Sequence, residues 1–245
     1  TVRAENLPQQ PGVENRPRAE NDLPELVKLH AAEPVRFVRP PEDFQTLLEG
    51  GCTLNGRAET RLLFAGETVP RAYVMYRPPG SRGVEGNELC IDELAGSRLA
   101  VARSLPALFA EYGLDHVRIE GLASDHELTA IAAARGWTLQ RCGFHGTVGI
   151  IDPAAFWQNI TPLLQEYLGK EAGAVSLRAD GESVRLSFRG QSTDPLDMPR
   201  FTRLVFLSEH KRHELDPGLP DDSPLGDVLD RGFPLPLVSY GLNYV

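Results

Sequence analysis

The sequence has little lysine, little cysteine and no long apolar stretch. Only three of its 25 basic residues are lysine, namely Lys28, Lys170 and Lys211; we read this as a compositional bias without functional content. The three cysteines, Cys52, Cys90 and Cys142, are odd in number, widely spaced and form no CxxC pair. That excludes a zinc ribbon and a thioredoxin-type motif. Such thiols are expected to be buried and inert, in a reducing and therefore cytoplasmic compartment. No apolar run approaches the roughly 18–20 residues of a spanning helix. No basic-then-apolar leader opens the chain, so no membrane partner is expected.

Basic character is also missing. With 34 acidic residues against 25 basic ones, the net charge is −9, and the arginines are scattered. Nucleic acid, which calls for a basic patch, is not an expected partner. An acidic surface favours cationic partners such as amines through long-range attraction. The phosphate-loop, dinucleotide, nucleophile-elbow, zinc-protease and EF-hand signatures are absent. His126-Glu127 opens like a zinc-protease helix, but Ala130 stands where the second ligand would be. His210 and His213 have no third ligand nearby, and Lys211 and Arg212 between them repel a cation. His145, between Gly143 and Gly146, reads as structural. No metal is expected.

What is present is an ordinary globular balance, 41% hydrophobic and 24% charged over 245 residues, enough for one large or two small domains. Residues 1–14 are polar with Pro8, Pro11 and Gly12, and read as a linker cut from something longer. From Asn15 the chain alternates strands and helices. Asn21 or Asp22 caps a helix carrying Leu23, Leu26, Val27 and His30. A second helix buries Phe44, Leu47 and Leu48. Arg61–Ala65 and Ala72–Arg77 form a hairpin, and Glu88–Leu94 is a further strand. A helix from Gly96 to Tyr112 repeats apolar residues at helical spacing, with Pro106 predicting a kink or break. A strand at Asp115–Ala123, a helix capped by Ser124 or Asp125, and strands at Thr138–Cys142 and Thr147–Ile151 complete a mixed α/β domain over 15–151.

Asp152-Pro153 begins a second, smaller α+β domain over 152–245. Its first helix carries a stripe from Phe156 to Leu168 and again contains a proline, Pro162. A hairpin turns at Asp180-Gly181, a helix spans Asp197–Leu207, and Ser208–Gly226 reads as loop. An apolar extended tail runs from Phe233 to Val245.

The first domain resembles the GNAT N-acetyltransferase superfamily. The resemblance rests on Arg16–Leu23 with Leu26 and Leu29, on Glu88–Gly96 and its following helix, and on His116–Ala123, the Asp125–Ala134 helix and Arg135-Gly136-Trp137. It implies a GNAT-like mixed sheet with flanking helices. In that superfamily the coenzyme A pyrophosphate sits on [Q/R]-x-x-G-x-[G/A], where backbone N–H groups reach the phosphates at a helix N-terminus. The matching stretch here is Glu93-Leu-Ala-Gly96-Ser97-Arg98, which keeps only Gly96. Glu93 puts a negative charge in this motif, and Arg98 replaces a small residue. The pyrophosphate loop is therefore not intact.

The order of the two domains resembles the C-terminal part of the Eis-like acetyltransferases, in which a catalytic GNAT domain precedes a degenerate second one and a sterol-carrier-protein-like domain. The resemblance implies acetyl-CoA on a catalytic domain absent from this sequence. It also implies a small-molecule primary amine as acceptor and a homo-oligomer for the full-length protein. The C-terminal carboxylate, here that of Val245, would act as base, with Tyr240, Asn243 and Tyr244 lining the acceptor pocket. Two alternatives stay open. One is a stand-alone divergent GNAT enzyme binding the coenzyme through Gly96 and Arg98. The other is a non-enzymatic carrier of a small apolar ligand or lipid.

Overall fold

The computed structural model describes residues 1–7, 13–53, 56–66, 68–140, 148–206 and 223–237. Two compact units result, one within Thr1–Gly143 and one within Phe144–Leu237.

The first unit is built on a six-stranded sheet. Its strands are β1 (Val2–Arg3), β2 (Glu14–Pro17), β5 (Glu59–Phe64), β6 (Ala72–Arg77), β7 (Glu88–Gly96) and β8 (His116–Ile119), in the order β1-β8-β7-β6-β5-β2. A small two-stranded ladder, β3 (Cys52–Thr53) with β4 (Gly56–Arg57), stands apart. Among the described residues, only β7 and β8 run parallel. A parallel pair needs a long crossover, and α3 (Arg98–Tyr112) supplies it. Helices α3 and α4 (His126–Ala134) cover one face, where Leu105, Leu108, Phe109 and Leu128 meet Val74, Tyr76, Leu89 and Ile91. Helices α1 (Leu23–Ala31) and α2 (Pro41–Gly50) cover the other, where Leu26, Phe44 and Leu48 meet Leu62, Tyr73, Met75 and Ala95. This is the mixed α/β sheet with flanking helices that the sequence predicts.

Three expectations need correction. Thr1–Leu7 is not linker: β1 pairs antiparallel with β8, Val2 opposite Val117, and Val2 is fully buried. The Trp137 indole donates to Asn6 O at 3.2 Å, holding the turn that follows. Second, Pro106 does not break α3, which runs unbroken to Tyr112. Proline in a helix interior costs about 3 kcal/mol. Burying Val101, Leu105, Leu108 and Phe109 returns roughly 1.5–3 kcal/mol each, and the helix persists. Third, the stretch expected as loop to Gly226 contains the start of a helix, described below.

The second unit opens with α5 (Pro153–Leu168), capped by Asp152, whose Oδ1 accepts from the N–H groups of Ala154 and Ala155. Pro162 lies inside it without ending it. Strand β10 (Ser183–Phe188) pairs along its whole length with β9 (Val175–Asp180). At its two ends it also pairs with β12 (Leu196–Asp197) and β11 (Gln191–Ser192). Helix α6 (Met198–Phe206) and helix α7 (Pro224–Gly232) pack their apolar residues with α5 and the sheet. Ser223 caps α7, accepting from Gly226 N at 3.0 Å. Leu225, Val228 and Leu229 are its buried stripe, the i, i+3, i+4 spacing that the surrounding polar and proline residues masked. No helix among the described residues is long and apolar enough to cross a membrane.

Candidate functional site

Charged groups gather around the C-terminal end of β7. The ladder between β7 and β8 runs from Glu88 opposite His116 to Ile91 opposite Ile119. β8 ends there, while β7 continues to Gly96. On its other side the register with β6 slips between Met75 and Tyr76: Met75 faces Glu93 and Tyr76 faces Ile91. Asp92 is the extra residue of a bulge, a device that re-aims side chains. Two acidic residues thereby enter the protein interior side by side, each with its own arginine.

Asp92 receives Arg77 through both oxygens, from Nε at 2.6 Å and Nη2 at 2.9 Å, and Thr53 Oγ1 at 2.8 Å. The Arg77 and Asp92 side chains are 2% and 7% exposed. Cys90 Sγ lies 3.2 Å from Asp92 Oδ1. Burial, with the Asp92 charge second, pushes this thiol up to about 12, so it is no nucleophile at neutral pH. Glu93 is gripped in the same forked way by Arg39 at 2.7 and 2.8 Å. It also accepts from the Tyr73 hydroxyl at 2.8 Å, and that hydroxyl lies 3.2 Å from His30 Nδ1. His30 Nε2–H donates to Phe37 O at 3.0 Å. Burial, reinforced by Glu93, holds the Tyr73 phenol well above its ordinary range. A third cluster joins the Glu111 carboxylate to the Arg61 guanidinium, whose Nε donates to the Tyr76 hydroxyl at 2.7 Å.

The fourth network sits where β7 meets α3. Gly96 has φ of +87°, and a Cβ there would lie 2.3 Å from Arg71 O, so only glycine fits. Ser97 Oγ caps α3 through Ala100 N. In front of this helix N-terminus stands the Glu33 carboxylate. Its Oε1 accepts from Gly96 N at 2.7 Å and from Arg98 Nη1 at 2.8 Å, and its Oε2 accepts from Arg98 Nη2 at 2.6 Å. Arg98 Nε donates to Asp125 at 2.7 Å. Asp125 in turn caps α4 through Leu128 N at 2.9 Å. The Arg98 side chain is 11% exposed and those of Glu33 and Asp125 13%. The two carboxylates hold Arg98 above its ordinary pKa even though burial opposes its charge.

The donors of Gly96 and Arg98 are thus spent on a carboxylate of the chain itself. One guanidinium faces two carboxylates, leaving the pocket net negative. A further unit charge of the same sign about 4 Å away would be opposed by about 4 kcal/mol at the effective dielectric of such sites. The residues present do not fit a coenzyme pyrophosphate. The carboxylate opposing it belongs to Glu33, whereas Glu93 is turned to Arg39 and Tyr73. Neither Glu33 nor the Arg98–Asp125 bridge was singled out from the sequence.

No family model and no curated protein matches the chain. Solved structures with a similar fold do. An aminoglycoside acetyltransferase from an uncultured soil metagenomic sample, in complex with sisomicin, is 18% identical, with 56% of this chain and 96% of that one covered, at a TM-score of 0.39. The aminoglycoside antibiotic 6'-N-acetyltransferase of Acinetobacter baumannii is 11% identical, with 57% and 99% covered, at 0.40. A probable acetyltransferase is 13% identical with the same coverage, also at 0.40. Likeness this distant leaves substrate and cofactor to be read from the residues themselves.

The other sequence-predicted site residues, Tyr240, Asn243, Tyr244 and Val245, lie outside the described residues, as do His145, His210, His213 and Cys142. So do the last two residues of the expected strand Thr138–Cys142 and the first of Thr147–Ile151; residues 138–140 and 148–151, which are described, form no strand. A cleft of about 460 Å³ is lined by Thr1, Arg3, Ala4, Glu5, Leu114, Asp115 and His116. None of the four networks contributes to it.

Proposed function

We propose that this chain is the C-terminal portion of a GNAT-type N-acetyltransferase of the Eis-like kind. Acetyl transfer to a primary amine would then use acetyl-CoA bound on a domain outside this sequence. The first unit is the degenerate GNAT-like domain and the second the sterol-carrier-like one. This part shapes the acceptor pocket and the assembly. In this reading Val245 contributes its terminal carboxylate as base, flanked by Tyr240, Asn243 and Tyr244. A terminal carboxylate has an ordinary pKa of about 3.5 and would need burial to serve that role.

The observation that carries the reading is the occupied anion position: Gly96 N–H and both Arg98 Nη groups are bound to Glu33. A unit whose donors at this position are engaged internally fits a supporting role better than a catalytic one. The same observation speaks against a stand-alone enzyme working through Gly96 and Arg98. The test is calorimetric titration of this chain with acetyl-CoA. No binding is expected up to millimolar coenzyme, and micromolar binding would overturn the reading.

A further inference from the structure

The connection between α1 and α2 shows a pattern that neither helix explains. From Glu33 to Arg39 it alternates: Glu33, Val35, Phe37 and Arg39 are half-buried, while Pro34, Arg36 and Val38 are exposed. Val38 is 95% exposed. Beyond a bend at Pro34 and Val35, a period of two is the signature of an extended stretch with one face laid inward. Three separate attachments hold that face. Glu33 takes Gly96 N–H and Arg98. Phe37 O accepts from His30 Nε2. Arg39 forks onto Glu93, and its guanidinium stacks over Phe37 and Phe44 with centroid distances of 5.6 and 5.2 Å. Arg36 Nη1 reaches back to Glu33 O at 2.6 Å and braces the turn.

We propose that the segment Glu33–Arg39 is a built-in strap, and that its Glu33 carboxylate serves as a permanent internal anion closing the Gly96/Arg98 position to phosphate-bearing ligands. A carboxylate accepting from a planar guanidinium fork and one backbone N–H presents the same donor-facing geometry as two phosphate oxygens. The strap therefore replaces an external ligand with a tethered one. The inference rests on the functional reading above, which has the first unit not binding the coenzyme, and names the element responsible.

The probe is inorganic pyrophosphate, titrated calorimetrically into the intact chain as wild type, Glu33→Ala and Glu33→Gln. The wild type is expected to give no saturable heat. Glu33→Ala removes the plug and leaves open Gly96 N–H, the Arg98 Nη2 donor and one hydrogen of Arg98 Nη1, whose other hydrogen stays on Gly96 O at 2.8 Å. Its affinity is expected to rise by about a hundredfold or more from the lost repulsion alone, and Arg98→Gln added to it is expected to abolish the gain. Hydrogen exchange at the amides of residues 33–39 should accelerate in Glu33→Ala and also in Glu33→Gln, which keeps the side-chain shape if the alanine variant folds poorly. A folded Glu33 variant that does not bind pyrophosphate overturns the proposal, as do unchanged exchange at residues 33–39 and wild-type binding of equal strength. The two claims fail separately. Acetyl-CoA binding by the wild type overturns the functional reading, whereas silence of the Glu33 variants towards pyrophosphate overturns the strap alone.

Discussion

Gly96 is the one residue kept from the coenzyme motif, and the structure gives it a reason that involves no coenzyme. An added Cβ would lie 2.3 Å from Arg71 O, 2.9 Å from the Ala72 Cα and 3.0 Å from a Leu29 methyl, at φ of +87°. The first two are backbone atoms of the β6 edge, and they can retreat only if the end of the β6–β7 ladder opens. Holding a non-glycine residue in this region costs about 1–3 kcal/mol. The lower unfolded-state entropy of alanine recovers no more than about 1 kcal/mol of that loss. With the backbone overlap added, Gly96→Ala is expected to lose at least about 3 kcal/mol, a large part of a typical 5–15 kcal/mol. Gly113 is the matched control. It too has positive φ, +61°, but nothing lies within 4 Å of its added Cβ, so Gly113→Ala should cost only about 1 kcal/mol. Trp137 and Trp157 are the only tryptophans. In a Trp157→Phe background, guanidinium unfolding followed by Trp137 fluorescence reports the first unit. If Gly96→Ala is no worse than Gly113→Ala, the close approach to Arg71 is not what holds glycine at this position.

Three further outcomes are expected. Asp92→Asn strands the Arg77 guanidinium at 2% exposure and should cost about 3–5 kcal/mol by denaturant unfolding; the double change Asp92→Leu with Arg77→Met should recover most of it. In a Cys52→Ser, Cys142→Ser background, native Cys90 should resist iodoacetamide at pH 8 while the unfolded chain reacts, because burial and Asp92 push its thiol up to about 12; rapid native labelling would show the thiol to be accessible. Burial depresses the His30 pKa below 6.5; the hydrogen bond to Phe37 O and the Glu93 charge oppose the effect, and Arg39 and Arg36 add to it. The unfolded chain then takes up that proton first. The stabilisation is complete above about pH 6.5 and is lost as pH falls through the folded value; in His30→Gln the decline between pH 7 and 5 should be shallower.

Much of the fold was legible because local chemistry announced it. Asp125 and Asp152 read as caps and are caps. Asp180-Gly181 turns its hairpin, and the Arg61–Ala65 and Ala72–Arg77 runs pair as expected. What escaped lacked a local signal. Strand β1 contributes two residues with a single buried side chain, too short for any period. In α7, Pro224 and Gly226 look like loop chemistry, although Pro224 is simply at N1 behind a serine cap. The Glu33 plug escaped for a stronger reason. Its partners Gly96 and Arg98 stand 63 and 65 residues away. A glutamate beside a proline at a helix end looks like any solvated charge until the chain is folded.

The scarcity of lysine also reads differently once these partners are known. Arg39, Arg61, Arg77 and Arg98 each place two nitrogens on the two oxygens of one carboxylate. Arg98 spends its third nitrogen on a second carboxylate, that of Asp125. An ammonium is a single point charge and cannot make that fork. Lysine in place of Arg98 would have to choose between Glu33 and Asp125, leaving the other carboxylate 13% exposed and unmatched. A buried charge without its partner is the expensive case. At Arg39, Arg77 and Arg98, where both partners are buried, arginine is therefore a requirement of the packing, whatever bias shaped the rest of the composition. The same requirement ties up both acidic side chains at the end of β7, Asp92 and Glu93, each held on both oxygens by its own arginine.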